Sequence, residues 1–267
     1  MRLPADYHMH TPLCKHAVGE VFQYAQRAAE IGLNEIGFSD HAPMPQDDFD
    51  DWRMKFSELE SYVNSVLKAR QDFPQLTIRL GLEIDFIPGY ENWIEKISSL
   101  YKWDYLIGSV HYVDSKWDID NPKKIDEWKK RRVTQVWENY IIRLTEAAES
   151  GFFDIIGHID LAKKFGHFPE NDCSDLFRIF FKRARENNCL IEINTAGLRK
   201  ECKEIYPAKS ILKIANEERV GITFGSDAHS PEEVGMNFRE AIDLAKSCGY
   251  TSCFVFESRK RKEMPLP

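Results

Sequence analysis

The 267-residue chain lacks the features that mark membrane or secreted proteins. No apolar run approaches the ~20 residues that a membrane-spanning helix needs, which excludes that class. The N-terminus enters a polar, histidine-rich segment instead of a signal peptide, and the six cysteines show neither a CxxC pair nor zinc-finger spacing. We therefore expect reduced cysteines and a cytoplasmic location.

Positive charge is also scarce. The chain has 36 Lys and Arg against 43 Asp and Glu, which gives a formal net charge of −7. Surfaces that bind nucleic acid need clustered positive charge, so we expect no nucleic-acid partner. The two basic runs, at 129–132 and 259–262, are interpreted as solvated surface. The composition does not predict an oligomeric state.

No internal repeat, low-complexity tract or linker is present, so one domain is expected over residues 1–267. Strand-like and helix-like segments alternate, as in parallel α/β domains. Strands are predicted at 5–10, 35–40, 76–85, 104–112, 154–158, 190–194 and 221–226, with a weaker eighth at 252–257. Helices are predicted at 21–31, 57–73, 90–101, 125–150, 174–187, 208–218 and 231–248. Because no Gly-rich phosphate loop follows the first strand, a distorted TIM-like barrel is favoured over an open doubly wound sheet.

Seven of the eight histidines lie at or just past the C-terminal ends of predicted strands. Barrel enzymes place their chemistry at these ends, and imidazole is a common ligand for Zn, Mn and Fe. These histidines are His8, His10, His16, His41, His111, His158 and His229. Since unrelated histidines would scatter over helices and loops, the distribution favours a metal centre; only His167 lies outside the pattern.

Two acidic residues extend the set. Glu83 lies within an apolar strand, where an ionised carboxylate is costly unless it is paired or metal-bound. Asp227 and His229 share one strand face, as His8 and His10 do. A catalytic zinc takes about three protein ligands, so nine candidates suffice for three ions if Glu83 bridges two of them. Two ions with additional supporting histidines remain an alternative.

The ordered motifs HMHTPLCKHAVG, GFSDHAP, GLEIDFIPGYE, IGSVHY, IGHID, NTAGLRK and GSDAHSPEEVG resemble the polymerase-and-histidinol-phosphatase (PHP) superfamily. They run from residue 8 to residue 235, and they are most similar to its bacterial histidinol-phosphate phosphatase branch. The resemblance implies a distorted (β/α)7 barrel with three divalent ions, which Zn, Mn or Fe could supply.

The resemblance also sorts the ligands among the ions. One ion is expected on His8, His10, Glu83 and Asp227, and a second on Glu83, His111 and His158, with Glu83 as the bridge. The third is expected on His16, His41 and His229. Asp40 is assigned the role of orienting a ligand.

The expected reaction is hydrolysis of a phosphate monoester, L-histidinol phosphate, by a metal-bridging hydroxide that attacks phosphorus. Arg199 is predicted to clamp the phosphate because a guanidinium offers two parallel donors. Lys163 or Lys164 is predicted to add a second cation, and Lys200 is interpreted as solvated.

The leaving alkoxide needs a proton, for which Asp227, His229 and Asp160 are the candidates. Asp85 is predicted to bind the ammonium group of the substrate, with Tyr112 and Trp117 available to stack on its imidazole.

Other functions remain open at this point. A phosphatase for another small monoester and a PHP-type phosphodiesterase or exonuclease are the nearest alternatives. A nuclease would prefer a basic groove with exposed aromatics, which this acidic chain does not suggest. An amidohydrolase-type enzyme also begins with an HxH pair, but the additional ligands at His16 and His41 count against it. A non-catalytic scaffold is disfavoured by the intact ligand set.

Overall fold

A computed structural model describes residues 3–114 and 117–267. The strands in these ranges are β1 (Glu35–Phe38), β2 (Thr77–Asp85), β3 (Tyr105–Ser109), β4 (Tyr112–Asp114), β5 (Trp117–Asp118), β6 (Ile155–Ile156), β7 (Leu190–Asn194), β8 (Ile222–Gly225), β9 (Ser252–Glu257) and β10 (Lys260–Pro265). The α-helices are α1 (Val21–Glu30), α2 (Leu59–Asp72), α3 (Glu91–Leu100), α4 (Val133–Glu149), α5 (Ser174–Glu186), α6 (Lys209–Glu217) and α7 (Phe238–Ser247). Six strands form one parallel sheet in the order β1-β2-β3-β6-β7-β8.

The N-terminal segment at 5–10 closes this sheet into a barrel. It is not a regular strand, yet it pairs with both edges of the sheet. Its backbone hydrogen bonds are Gly37 N to Asp6 O (2.7 Å), Ser39 N to Met9 O (3.0 Å), Tyr7 N to Phe224 O (3.0 Å) and His10 N to Ala228 O (2.9 Å). Six strands and one irregular segment make a distorted barrel, which confirms the predicted fold class. The open doubly wound alternative is wrong because the two sheet edges are joined.

The barrel interior towards the N-terminal ends of the strands is filled by apolar and aromatic side chains. They include Tyr7, Tyr105, Ile107, Ile155 and Leu190, all fully buried. Gly81 leaves room for the Tyr105 ring, since a Cβ at residue 81 would lie 2.6 Å from Tyr105 Cε2. The interior is therefore a packed core at this end, and polar groups concentrate at the opposite end.

The eighth predicted strand has a different role. β9 pairs antiparallel with β10 in a separate two-stranded sheet instead of joining the barrel. Phe256 of β9 packs against Tyr7 and Tyr105, with ring centroids 5.9 and 6.2 Å apart. Its backbone N–H donates to Tyr7 Oη at 2.9 Å. The hairpin thus covers the N-terminal end of the barrel.

Three predicted elements are interrupted. The strand predicted at 104–112 ends at Ser109, and the chain then forms the β4–β5 hairpin. The helix predicted at 125–150 divides into a 3-10 helix, Pro122–Lys130, and α4. The helix predicted at 231–248 divides likewise, because Gly235 and Asn237 have φ of 63° and 61°. This turn lets the Gly235 N–H donate to buried Asp6 at 2.9 Å.

Within the described residues, no helix has the length and apolarity to cross a membrane.

Candidate metal centre

Seven histidines and two carboxylates meet at the C-terminal end of the barrel. His8 and His10 lie on the closing segment, and Glu83 lies near the end of β2. The other ligand candidates follow strands or the 3-10 turn Pro12–Cys14, and they are His16, His41, His111, His158, Asp227 and His229. The His10 ring centroid is 4.3 Å from that of His41 and 4.2 Å from that of His229. His167 lies elsewhere, stacked on Trp128 with 4.4 Å between centroids.

Glu83 occupies the middle of this cluster and is 1% exposed. Its Oε2 is 2.7 Å from His41 Nδ1 and 3.3 Å from His8 Nε2. Its Oε1 is 2.9 Å from His158 Nε2 and 3.8 Å from His111 Nε2. The two oxygens therefore face different histidines, which is the arrangement that a bridging carboxylate requires.

Two residues of the cluster have unusual backbones. Asp227 has φ of 53° and His158 has φ of 22°, although neither is glycine. Such conformations cost roughly 1–3 kcal/mol and are concentrated at functional sites. At Asp227 the conformation brings Oδ1 to 3.1 Å from His10 Nε2 and 4.0 Å from His8 Nε2.

The ligand atoms form overlapping groups of three. Those whose atoms lie within 4.8 Å of one another include His8–His10–Asp227, His8–Glu83–His158, His10–His41–His229 and Cys14–His16–His229. The first agrees with the expected first site. Among the described residues, the expected trio His16, His41 and His229 does not form such a group, because His41 points to Glu83 while His16 Nε2 lies 2.9 Å from His229 Nε2. The assignment of ligands to individual ions therefore stays a prediction.

Several buried polar atoms at the centre lack a hydrogen-bond partner. They are His8 Nε2, His10 Nε2, His41 Nδ1 and Glu83 Oε2. Leaving such an atom unsatisfied costs about 1–3 kcal/mol, so native proteins rarely do so without a reason. The three nitrogens lie 3.3, 3.7 and 2.7 Å from Glu83 Oε2, respectively, but in orientations that form no hydrogen bond with it. A divalent cation satisfies nitrogen and oxygen donors together, so these residues fit a metal.

The electrostatics suit the same ligands. Burial would raise the pKa of Glu83, but His8 and His41 hold it well below its usual range. Burial lowers the pKa of His41 and of His229 well below the usual histidine value. An ionised carboxylate and neutral imidazoles are the forms that bind metals.

His10 differs from these two histidines. Burial would lower its pKa, but the neighbouring carboxylates of Asp227 and Asp40 raise it to about 9. A cation that binds at His10 must therefore displace a proton.

Supporting carboxylates hold the outer nitrogens of the histidines. Asp40, the residue expected to orient a ligand, lies 3.3 Å from His10 Nδ1. Asp85 accepts a hydrogen bond from His111 Nδ1 at 2.9 Å and pairs with Arg53 at 3.0 Å. The structure corrects the prediction that Asp85 binds the substrate ammonium, since its carboxylate is 4% exposed and already engaged on both sides.

Glu192 and Arg53 were not among the predicted site residues. Glu192 Oε1 lies 2.7 Å from His8 Nδ1. It interrupts the apolar strand Leu190–Asn194 just as Glu83 interrupts β2, so a signal was present in the sequence. Arg53 lies in a loop and gave no such signal, because only the folded chain brings it to Asp85.

Two adjoining cavities open beside the cluster. The first, of about 210 Å³, is lined by ligand candidates together with Asp120, Lys164, Lys200 and Tyr206. The second, of about 250 Å³, adds Trp52, Asp51 and Asp118. Lys164 Nζ lies 2.9 Å from Asp120 Oδ2 on the wall that both share. Of the two predicted lysines, Lys164 therefore faces the metal centre.

Lys163 and Asp160 face another way. Lys163 is 1% exposed, and its Nζ lies 2.8 Å from Asp160 Oδ2, Glu204 Oε2 and Ile205 O. Asp160 also accepts the Ala208 N–H at 2.8 Å. Both residues line a separate cavity beside Trp137 and Phe177. This corrects the predictions of Lys163 as a phosphate ligand and Asp160 as a general acid, because the two side chains form an ion pair with each other.

The predicted phosphate clamp, Arg199, is also engaged. Its Nη2 donates to Ser226 O at 2.7 Å, and its Nε lies 3.0 Å from Glu233 Oε1. It therefore anchors the segment after β8, which carries Asp227 and His229, and it does not line the cavity beside the metal centre. Its Nη1 has no hydrogen-bond partner, and the role of Arg199 as a phosphate clamp stays a prediction.

The predicted stacking aromatics are buried elsewhere. Tyr112 is 3% exposed and donates its hydroxyl to Asp50 at 2.8 Å. Trp117 is 3% exposed and packs on Trp128, with ring centroids 5.1 Å apart. Trp52 occupies the position expected of them, since its ring centroid is 4.7 Å from His41 and 5.2 Å from His111.

Comparisons with known proteins place this site in context. The family model described as PHP domain matches residues 6–196. A probable histidinol-phosphatase of Deinococcus radiodurans is 41% identical over 245 residues, covering 91% of this chain and 93% of the relative. The histidinol-phosphatase of Bacillus subtilis is 30% identical over 266 residues, covering 89% of this chain and 98% of the relative.

Solved structures share the fold. Histidinol phosphate phosphatase from Lactococcus lactis superposes with a TM-score of 0.81 at 17% identity, covering 98% of this chain and 100% of the other. That crystal structure is a complex with zinc, L-histidinol and phosphate. A histidinol phosphatase structure from Listeria monocytogenes gives a TM-score of 0.75 at 24% identity, covering 88% of this chain and 99% of the other.

Proposed function

The chain belongs to the PHP family, and on that premise we propose that it is a histidinol-phosphatase. The reaction converts L-histidinol phosphate and water to L-histidinol and phosphate, a step in histidine biosynthesis. One observation carries the proposal: seven histidines, Glu83 and Asp227 meet beside a cavity that holds a lysine on its wall. The full-length similarity to named histidinol-phosphatases supports it.

Three divalent ions, as Zn, Mn or Fe, are part of the proposal. His8, His10, His16, His41, Glu83, His111, His158, Asp227 and His229 are the residues to hold them. Bound ions supply Lewis acids that lower the pKa of water towards neutrality and neutralise the charge of a phosphate. The opposed faces of the Glu83 carboxylate support its assignment as the bridge between two of the ions.

Lys164 is assigned to phosphate binding as the second cation beside the predicted clamp, Arg199. Its ammonium lies on the cavity wall, held by Asp120 Oδ2 at 2.9 Å and by the Asp120 carbonyl at 2.8 Å. An ammonium has three donors, so a third remains for a phosphate oxygen. Lys200 lines the same cavity and is a second candidate.

Proton delivery to the leaving oxygen is left to Asp227 and His229. Asp160 is excluded by its pairing with Lys163. Burial would raise the pKa of Asp227, but His8 and His10 hold it well below the usual range, so the carboxylate is ionised near neutral pH. Asp227 would therefore first accept a proton from the attacking water and then pass it to the leaving oxygen. His229 lines the cavity, and its Nδ1 lies 3.0 Å from the Asp227 carbonyl.

The second cavity suits the other end of L-histidinol phosphate. That end carries an ammonium group and an imidazole, and both bind well to carboxylates and aromatic faces. Trp52 supplies an aromatic ring, while Asp51 and Asp120 supply acidic groups. The Trp52 indole N–H is fixed by Asp118 at 3.0 Å, which holds the ring beside the metal centre.

Release of phosphate by metal-replete protein tests the proposal. L-Histidinol phosphate, p-nitrophenyl phosphate, nucleoside monophosphates and a phosphodiester should be compared by kcat/KM. We expect L-histidinol phosphate to be the best substrate, and Glu83→Gln to abolish turnover of all of them. Weak turnover of L-histidinol phosphate beside rapid diester cleavage would instead support a phosphodiesterase or exonuclease.

A further inference from the structure

Glu192 is a buried carboxylate that touches two predicted metal ligands. It lies in the middle of β7 and is 1% exposed. Its Oε1 is 2.7 Å from His8 Nδ1. Its Oε2 accepts the backbone N–H of His158 at 3.0 Å and the side-chain amide of Asn194 at 3.0 Å. The carboxylate thus contacts ligands on two sides of Glu83.

A neighbouring glycine, Gly225, makes room for this side chain. At Gly225, a Cβ would lie 2.9 Å from Glu192 Cδ and 2.6 Å from His8 Cβ, and it would overlap Glu192 Oε1. At Gly157, by contrast, a Cβ would lie at an ordinary contact distance of 3.5 Å from Glu192 Oε2. Gly225 belongs to β8, which flanks β7. The close approach of β8 to the Glu192 carboxylate therefore requires a glycine at residue 225.

Burial of a carboxylate is unfavourable unless hydrogen bonds or ion pairs compensate for its lost hydration. Burying an ion costs several kcal/mol even after the protein relaxes, and an apolar residue of similar volume avoids that cost. Glu192 recovers part of it through three hydrogen bonds, of which the one to His8 is short. Such bonds fix the tautomer and the orientation of a metal-binding imidazole.

The contact also determines which His8 nitrogen is free. A carboxylate only accepts hydrogen bonds, so Nδ1 must carry the proton that it donates to Glu192. Nε2 is then the nitrogen available to a metal ion, and it lies 3.3 Å from Glu83 Oε2 and 4.0 Å from Asp227 Oδ1. Nε2 is also one of the buried atoms without a hydrogen-bond partner.

We propose that Glu192 is a positioning residue that fixes His8 with Nε2 directed at the metal centre and ties His8 to the His158 turn. It does not touch the cavity and is not a ligand in the proposal. This inference rests on the proposed metal centre, but not on the identity of the substrate.

Glu192→Gln tests the proposal with almost no change in volume. The glutamine oxygen can replace Oε2 and keep the bonds to His158 and Asn194, which leaves the NH₂ group facing His8 Nδ1. That group can only donate, so it favours the His8 tautomer with its proton on Nε2, which cannot bind a metal. We expect zinc affinity to fall about tenfold to a hundredfold, as for other losses of an orienting partner.

Zinc affinity should be measured by competition with a chelator, using wild type, Glu192→Gln and, as control, the exposed Glu60→Gln. In zinc-loaded wild type, histidine-selective NMR should show His8 with a hydrogen-bonded Nδ1 proton, and His8→Asn identifies the signal. Unchanged zinc affinity in folded Glu192→Gln overturns the proposal, and so does a wild-type His8 that carries its proton on Nε2. If wild type binds zinc as expected yet does not hydrolyse L-histidinol phosphate, only the proposed function fails.

Discussion

Replacement of Gly225 by alanine should weaken both the fold and the metal site. The added Cβ would lie 2.6 Å from His8 Cβ and 2.9 Å from Glu192 Cδ. All three residues are buried, so none of them can move into solvent to relieve the crowding. The Gly225 backbone is outside the left-handed region, so the effect comes from crowding and not from φ. Overpacking of this kind costs about 1–3 kcal/mol.

Separation of His8 from Glu192 should also lower metal affinity. Loss of an orienting partner typically costs 10-fold to 100-fold in affinity. We therefore expect zinc binding to weaken by roughly that factor, in addition to the loss of stability. The melting temperature of the metal-free protein should fall by about 2–4 °C for each kcal/mol lost.

The assay combines thermal unfolding of chelated protein with zinc competition on the folded protein. Gly221→Ala is the matched control, because its Cβ would crowd Phe254 at 2.6 Å and Leu190 at 2.8 Å, next to the same strand but away from the histidines. The control should lose stability and keep its zinc affinity. The double variant Gly225→Ala/Glu192→Asp, with a shorter side chain, should regain part of the stability.

Two results would refute this reasoning. One is a Gly225→Ala protein with wild-type stability and wild-type zinc affinity. The other is a loss of zinc affinity in Gly221→Ala as large as in Gly225→Ala, since that would mean that crowding anywhere near β8 disrupts the site.

Four further predictions address the neighbouring residues. Lys164→Met should lower kcat/KM for L-histidinol phosphate about 10-fold to 100-fold, since a hydrogen bond to a charged group is worth about 1.5–3 kcal/mol. Lys163→Met should instead lower stability by about 3–5 kcal/mol, because it leaves Asp160 buried without its partner. Trp52→Ala should raise KM for L-histidinol phosphate more than KM for p-nitrophenyl phosphate. Burial raises the pKa of Asp6 to about 6, above its unfolded value of 3.8, so its contribution to stability is lost as pH rises through about 6. Asp6→Asn should therefore gain about 2 kcal/mol relative to wild type between about pH 4.5 and about pH 7 in urea unfolding of metal-free protein.

The contradicting outcomes are separate for each. Equal kinetic effects of Lys163→Met and Lys164→Met would contradict the assignment of Lys164 to substrate binding and of Lys163 to stability. A Trp52→Ala variant with the same KM increase for both substrates would remove Trp52 from recognition of the imidazole end. If the difference in unfolding free energy between Asp6→Asn and wild type does not change with pH, the pKa of Asp6 is not raised in the folded state.

The residues that cluster at the barrel end were predictable as ligand candidates because their signals are local. HxH on a strand, an acid within an apolar strand and an acid–histidine pair after a strand can each be read without knowing the partners. Glu83 was found by such a signal. Glu192 carries the same signal within the buried strand Leu190–Asn194, although it was not among the predicted site residues.

Contacts between distant segments were not predictable. Lys163 and Lys164 are neighbours in sequence, and only the path of the 3-10 turn Leu161–Lys163 decides which one reaches the cavity. Arg53 meets Asp85 across 32 residues, and Trp52 meets Asp118 across 66. No sequence pattern in either of the paired segments indicates that it contacts the other.

The β9–β10 hairpin illustrates the same limit for the fold. The apolar pattern at 252–257 is compatible with a barrel strand or with a hairpin. Its turn uses Ser258 and Arg259 with φ of 50° and 64°, where the usual hairpin signal is Asn-Gly or Asp-Gly. The strand was therefore predicted, but its pairing was not.

The most direct test of the central claim is a metal titration of chelated protein, with phosphate release from L-histidinol phosphate recorded in the same samples. We expect activity to appear as ions bind and to reach its maximum near three ions per chain, and we expect Glu83→Gln to bind fewer ions and to release no phosphate. Full activity at one ion per chain, or saturation of every site well below three, would contradict it.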